Sequence, residues 1–202
     1  MIDMKRMFDV LASALGLLLL AVPLVLLAWQ VRRKLGSPVL FIQVRPGLNS
    51  KPFRLLKFRT MTNQRDSNGE LLPDAQRLTP FGRWLRSSSI DELPGLLNIL
   101  RGEMSFIGPR PLLMQYLPLY SPEQARRHDV KPGFSGWAQI NGRNAITWEE
   151  KFRLDVWYVD NQGFWLDLRI FVITIWKVLL REGISSPGEA TMSCFMGLQS
   201  EN

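Results

Sequence analysis

The sequence predicts a helix-rich α+β protein. An N-terminal membrane helix dips into the bilayer and returns, and a globular domain on the cytosolic face carries a small β-hairpin and interfacial helices. Three observations carry this. Residues 10–29 form a run of twenty without a charged side chain, and a helix of that length reaches about 30 Å, the thickness of the hydrocarbon core. Two short runs rich in β-branched and aromatic residues, 39–44 and 53–60, flank a Pro46-Gly47 turn with Asn49. Two capping boxes, Ser121-Pro122-Glu123-Gln124 and Thr147-Trp148-Glu149-Glu150, open helices further on.

Composition sets the outer bounds. The chain has 202 residues, 25 Lys and Arg against 18 Asp and Glu, and a formal net charge of +7. That length suits one domain with an appendage, divided here as residues 1–34 for the membrane hairpin and 35–202 for the catalytic domain. Cys194 is the one cysteine and His128 the one histidine. A disulfide scaffold, a zinc centre and histidine-based catalysis are therefore excluded. The positive charge suits anionic lipids or nucleotides. No nucleic-acid-binding module accompanies it, so nucleic acid is not an expected partner.

The apolar run is too long for the core of a signal peptide and lacks a small-residue cleavage site behind it. Lys5 and Arg6 precede it, while Arg32, Arg33 and Lys34 follow it. Both clusters favour the cytoplasmic side. Pro23 lies near the middle, where it cannot donate to the Leu19 carbonyl. Lys5, Arg6 and Pro23 together favour a helix that bends at the proline and returns to its own side. A straight span with a tolerated proline is the alternative.

Beyond the hairpin strands, residues 63–76 are polar, contain Asn68-Gly69, and read as a mobile loop. The helix opened by Thr147 should run towards Asn161. Residues 165–182 form a helix with a partial basic face from Arg169, Lys177 and Arg181. Either an interfacial or a core-packing role fits it, and Trp165 and Trp176 favour the interface.

The chemistry falls in residues 86–111. Leu96, Leu97, Ile99 and Leu100 make a helical stripe ended by Gly102. Ser89 and Glu92 have capping-box spacing, but Pro94 would then break the first ladder bonds. Placing the cap at Asp91 puts Pro94 in the first turn and Asp91 at the positive end of a helix. Acids there can merely stabilise the helix. Their neighbours point further. Gly108-Pro109-Arg110-Pro111 holds an arginine between two φ-locked residues, Arg86 lies just upstream, and Arg143 follows the Asn141-Gly142 turn. Arginine grips phosphate bidentately, and adjacent carboxylates can hold Mg²⁺ or supply a nucleophile. Together they suggest phosphoryl transfer to a lipid. A non-catalytic scaffold would need none of this grouping, and a nucleotide-sugar glycosyltransferase would often carry an Asp-x-Asp motif, which is absent from the sequence.

These motifs resemble the small monotopic phosphoglycosyl transferases of the PglC type, within the bacterial sugar transferase family. The likeness runs through Arg45-Pro46-Gly47, Lys57-Phe58-Arg59-Thr60-Met61, Ile90-Asp91-Glu92-Leu93-Pro94, Gly108-Pro109-Arg110-Pro111, Lys131-Pro132-Gly133 and Asn141-Gly142-Arg143-Asn144-Ala145. It implies a re-entrant helix and a place on the cytoplasmic face of the bacterial inner membrane. It also implies transfer of a sugar-1-phosphate from a UDP-sugar to undecaprenyl phosphate, with Mg²⁺, release of UMP and a covalent aspartyl-phosphosugar. Asp91 would be the nucleophile, and Glu92 would help hold the metal with it or orient the pair. Arg86, Arg110 and Arg143 would bind phosphate. Residues 141–149 most resemble enzymes that use UDP-N,N′-diacetylbacillosamine in glycoprotein assembly. Relatives using glucose, galactose or N-acetylhexosamine share the motifs. Downstream glycosyltransferases would be natural partners.

Overall fold

The computed structural model describes residues 4–142, 146–179 and 195–197. Helices α1 (Met4–Leu19) and α2 (Ala21–Leu35) meet at a 65° bend. No single described helix is long and apolar enough to cross a membrane, whereas this bent pair is, by length and composition alone. The bend lies at Leu20, three residues before the position expected at Pro23. Pro23 is the third residue of α2, in a first turn whose N–H groups need no intrahelical acceptor. The proline thus starts the second helix, and the break falls on the residue before that helix. The inner face of α2 buries Leu27, Val31 and Leu35 against Phe58 and Leu85. Its outer face and that of α1 leave Leu11, Leu18, Leu19, Val22 and Val25 exposed.

The charged head of α1, expected on the cytoplasmic side, is bonded to the rest of the protein. The Lys5 ammonium donates to the Ile107 carbonyl and the Tyr158 hydroxyl, each at 2.9 Å, and to the Asp167 carboxylate at 2.5 Å. Arg6 donates to the Ile99 and Leu100 carbonyls. Asp9 accepts from Ser105 Oγ and the Phe106 N–H. At the far end Arg32, Arg33 and Lys34 are exposed, with Arg33 over the Trp29 ring and Lys34 over Phe81.

Strands β1 (Leu40–Pro46) and β2 (Pro52–Phe58) form the expected antiparallel hairpin, in register from Leu40 opposite Phe58 to Pro46 opposite Pro52. A 3-10 turn over Leu48–Ser50 closes it, with Asn49 and Ser50 at positive φ. The polar segment 63–76 carries local bonds of its own. Arg65 bridges to Leu71, the Asp66 carboxylate caps the N–H groups of Asn68 and Glu70, and α3 (Asp74–Arg77) begins inside it. These are side-chain-to-backbone bonds that short polar residues make in place of a ladder. Helix α4 (Pro80–Ser87) follows, with Thr79 accepting from the Gly82 N–H, and then α5 (Leu96–Arg101), which ends at Gly102 with φ 83°.

Two short strands, β3 (Ser105–Ile107) and β4 (Gly133–Ser135), pair in parallel. Between them α6 (Pro122–Ala125) carries the complete Ser121–Gln124 capping box. Helix α7 (Trp137–Ile140) precedes α8 (Trp148–Asn161), whose expected cap is present as Thr147 accepting from the Glu150 N–H. Helix α9 (Phe164–Leu179) has the expected core-packing face and an exposed apolar one. Ile170, Leu166 and Ile173 pack into the core, whereas Trp165, Val172 and Trp176 are exposed. Arg181 and the rest of the expected helix beyond residue 179 lie outside the described residues.

Candidate active site

Asp91 and Glu92 stand between α4 and α5, in a six-residue 3-10 turn over Ile90–Gly95. The expected helix cap at Asp91 is not formed. Ser89 precedes the turn in the left-handed conformation with φ 56°, and its side chain caps nothing. Pro94 sits inside the turn, two residues before α5, so Asp91 is separated from the positive end of that helix. Bonds such as Glu92 N–H to Ser89 O at 3.2 Å hold the turn instead. Burial and the neighbouring charged side chains, rather than a helix terminus, therefore set the electrostatics of the acids.

Those cations come from distant parts of the chain. Glu92 Oε1 accepts from Lys57 Nζ at 2.6 Å and from the Arg110 guanidinium at 2.5 Å. Lys57 sits near the end of β2, which Asn98 ties to α5. The Asn98 amide accepts from the Leu56 N–H and donates to the Arg54 carbonyl. Arg110 is held as its proline-bracketed sequence suggested. At Gly108 a Cβ would lie 2.3 Å from the Lys131 carbonyl, so that loop can press against the strand beside it only with glycine there. Arg127 donates to the Arg110 carbonyl at 2.8 Å while pairing with Asp155 at 2.7 Å, fully buried. Arg86 donates through Nε to Thr60 Oγ1 at 3.0 Å.

The two acids differ in charge state. Burial opposes ionisation of Glu92, but Arg110 and Lys57 outweigh it and hold the carboxyl at about 2. Asp91 is 8% exposed, and among the described residues no hydrogen bond or ion pair reaches its carboxylate. Burial and the negative Glu92 beside it push its carboxyl up to about 6, against the pull of Lys57, Arg110 and Arg86. One acid is thus held in its ionised form and occupied, and the other is more basic and bonded to no side chain among the described residues. A basic carboxylate beside fixed positive charge can attack an electrophile that brings its own negative charge.

Both acids line a cleft of about 1540 Å³. Arg86 and Arg110 line it too, so the structure gathers four of the five candidate site residues. Arg143, the fifth, lies outside the described residues. Sequence reasoning missed that Lys57 and Arg110 share Glu92, and that Arg127 and Asp155 fix the Arg110 loop. The Lys57-Phe58-Arg59 motif was the one local signal for any of this.

Among the described residues no cluster of three or more His, Cys, Asp or Glu side chains is placed to hold a metal ion. Mg²⁺ commonly takes one or two carboxylates and completes its shell with water and substrate phosphate. Asp91, whose carboxylate has no bonded partner among the described residues, offers one such donor, and Glu92 has Oε2, which meets Arg110 only at 3.5 Å, for an ion that arrives with a diphosphate.

Comparison with known proteins gives consistent results. The model of the bacterial sugar transferase family matches residues 2–181. An uncharacterised sugar transferase, EpsL, of Bacillus subtilis is 60% identical over 194 residues, covering 96% of each chain. The UDP-glucose:undecaprenyl-phosphate glucose-1-phosphate transferase of Caulobacter vibrioides is 40% identical, over 87% of this chain and 69% of that one. The undecaprenyl-phosphate galactose phosphotransferase of Salmonella typhimurium is 35% identical, over 89% of this chain but only 41% of its own greater length.

Proposed function

This chain belongs to the bacterial sugar transferase family, and from that premise we propose that it is a polyprenyl-phosphate phosphoglycosyl transferase. It moves a hexose-1-phosphate from a UDP-sugar to undecaprenyl phosphate, through a covalent intermediate on Asp91. The observation that carries this reading is the Asp91 carboxylate, buried and unpaired on the wall of a cationic cleft while Glu92 beside it takes up Lys57 and Arg110.

In the first half-reaction an Asp91 carboxylate oxygen attacks the sugar-bearing β-phosphorus. The new O–P bond forms as the bond to the α-phosphate oxygen breaks, and UMP leaves with that electron pair. In the second, a phosphate oxygen of undecaprenyl phosphate attacks the same phosphorus and frees Asp91, giving the lipid diphosphosugar. Arg86 and Arg110 take phosphate oxygens. Arg110 keeps N–H groups to spare beyond its bonds to Glu92, because a guanidinium has five. Arg143 is assigned the same role from its motif. Mg²⁺, held by Asp91 and Glu92 with the diphosphate, would neutralise charge on the leaving UMP. Two separate half-reactions mean that the soluble donor and the lipid acceptor need never occupy the site together.

The bent α1–α2 pair supports a re-entrant anchor in the bacterial inner membrane. Its exposed apolar faces would sit in lipid, with Arg32–Lys34 on anionic headgroups at the cytoplasmic surface. The exposed tryptophans of α9 would lie at the same interface. The relatives above carry glucose and galactose in their names, which puts UDP-glucose and UDP-galactose first among donors. UDP-N,N′-diacetylbacillosamine, favoured by the resemblance of residues 141–149, belongs in the same donor panel. The product would start a glycoconjugate that downstream glycosyltransferases extend.

The test is UMP release from each UDP-sugar by the membrane-embedded protein with Mg²⁺, alongside mass spectrometry of the peptide containing Asp91. Asp91→Asn is expected to abolish both UMP release and the added sugar-phosphate mass while leaving membrane attachment intact. Undiminished UMP release by that variant would remove Asp91 as the nucleophile, and release of UDP instead would make the enzyme a glycosyltransferase.

A further inference from the structure

More arginines crowd the cleft than the proposed chemistry uses, and they gather at one end. Arg59 follows β2, Arg77 closes α3, and Arg83 and Arg86 stand one turn apart on α4; all four line the cleft that holds Asp91. Among the described residues the carboxylate they meet is Asp74, 3.3 Å from Arg77 and itself 75% exposed on the rim. Neutral oxygens aim the guanidinium groups instead. Arg77 Nε donates to the Thr62 carbonyl at 3.0 Å, Arg86 Nε to Thr60 Oγ1 at 3.0 Å, and Arg83 to the Leu78 carbonyl at 3.4 Å. The Asn63 side-chain oxygen, in its hydrogen-bonding orientation, faces both terminal nitrogens of Arg59 at 3.2 and 3.3 Å. Burial and the neighbouring Arg77 both work against the charge on Arg59.

The contrast with the other cations of the cleft is instructive. Lys57 and Arg110 already share Glu92. Arg45, beside Arg110, also lines the cleft and bonds the Gln43 side chain and the Pro111 carbonyl, but the largest group of cations without a tightly held acid is at the β2–α3–α4 end. Like charges held together in a partly dry cleft repel, and an anion entering among them relieves that repulsion. The planar fork of arginine matches phosphate oxygens in pairs. Arg86 is engaged through Nε alone, and each of the other three guanidinium groups, with five N–H donors, has donors beyond those its neighbours take up. A cleft of about 1540 Å³ is far larger than a lone phosphate needs, and it runs continuously from this end to Asp91.

We propose that Arg59, Arg77 and Arg83, with Arg86, form the seat for the nucleoside monophosphate half of the donor, the group that leaves in the first half-reaction. This rests on the phosphoglycosyl-transfer reading for the order of events, but the binding it predicts is independent of turnover. The recognised chemistry is an anionic phosphate group, which a nucleotide and an anionic lipid headgroup share. A nucleotide seat has a kinetic consequence: UMP has departed before the acceptor reacts, so these arginines act chiefly on adduct formation.

The experiment uses the full chain in nanodiscs, with Arg59→Gln, Arg83→Gln, their double variant, and Arg59→Lys as a charge-retaining check on folding. UMP affinity should fall about tenfold or more in the double variant, the size expected for losing one bidentate phosphate contact. Arg59→Lys should fall in between, because it keeps charge without the fork. Adduct formation from UDP-sugar should slow about tenfold more than consumption of pre-formed adduct by undecaprenyl phosphate. Unchanged UMP affinity in the double variant, or equal slowing of both half-reactions, would overturn the assignment. Loss of binding to phosphatidylglycerol vesicles with UMP affinity intact would also overturn it, by identifying a lipid-headgroup seat. Weakened UMP binding in a protein that releases no UMP from any UDP-sugar would keep the seat and defeat the reaction assigned to it.

Discussion

Asp91 and Asp155 are both buried aspartates on the same cleft, 8% and 1% exposed, and they illustrate opposite uses of a carboxylate. Asp155 faces the Arg127 fork, with bonds of 3.1 Å from Nε and 2.7 Å from the terminal nitrogen. That arginine also holds the Arg110 carbonyl at 2.8 Å. The pair is a fastener whose effect is felt at Arg110. Asp91 has cations nearby but none bonded to it, because Glu92 takes up Lys57 and Arg110. Burial alone does not mark a reactive acid; burial without a partner does.

The largest expected effect is on Asp91 itself. Asp91→Asn should cut UMP release by at least about a thousandfold and still raise resistance to denaturant, since it removes a desolvated charge. Asp155→Asn should do the reverse in kind. Leaving Arg127 buried without its partner should cost about 3–5 kcal/mol of stability by chemical denaturation, with activity lost only as far as Arg110 shifts. If Asp91→Asn destabilised the fold as strongly as Asp155→Asn, the distinction between them would fail.

The next effect is on pH dependence. A carboxyl raised from 3.8 to about 6 on folding keeps its proton where the unfolded chain has lost it. Its favourable contribution is complete below about pH 4 and is lost as pH rises through about 6, a change of roughly 3 kcal/mol. The stability of the wild type relative to Asp91→Asn, measured by denaturation in chelator, should therefore fall over that window. That difference leaves out the opposite contribution of His128, whose imidazole is held down at about 4 by burial. Donor turnover should climb over the same window, because the proposed nucleophile attacks only when ionised.

Lys5 supplies the smallest comparison. Its partner Asp167 also accepts from Tyr158 at 2.6 Å, so Lys5→Met leaves that acid with one bond. A loss of about 1–3 kcal/mol is expected, read as earlier thermal release of α1, with UMP release per folded molecule kept to within a few fold. A loss as large as that of Asp155→Asn would place this cluster with the sealed fasteners.

What could be read from the chain was what neighbouring residues settle among themselves. The Pro46–Asn49 turn and the two flanking runs give the hairpin; Ser121 and Thr147 cap the helices they precede. Arg110 is stiffened by the prolines on either side of it. Local reading was misled at Asp91, where capping patterns suggested a helix start and Pro94 produced a 3-10 turn instead. At Lys5 and Arg6 it could not foresee the acceptors that distant parts of the chain provide.

The sequence by itself determined that an apolar N-terminal segment precedes a basic domain with two adjacent acids beside fixed arginines, because periodicity, caps and φ restriction act over a few residues. Only the tertiary structure decided which acid is free. Lys57 reaches Glu92 across 35 positions and Lys5 reaches Asp167 across 162. Packing makes those choices, and packing depends on which distant surfaces must leave water together, a quantity no local stretch of residues encodes.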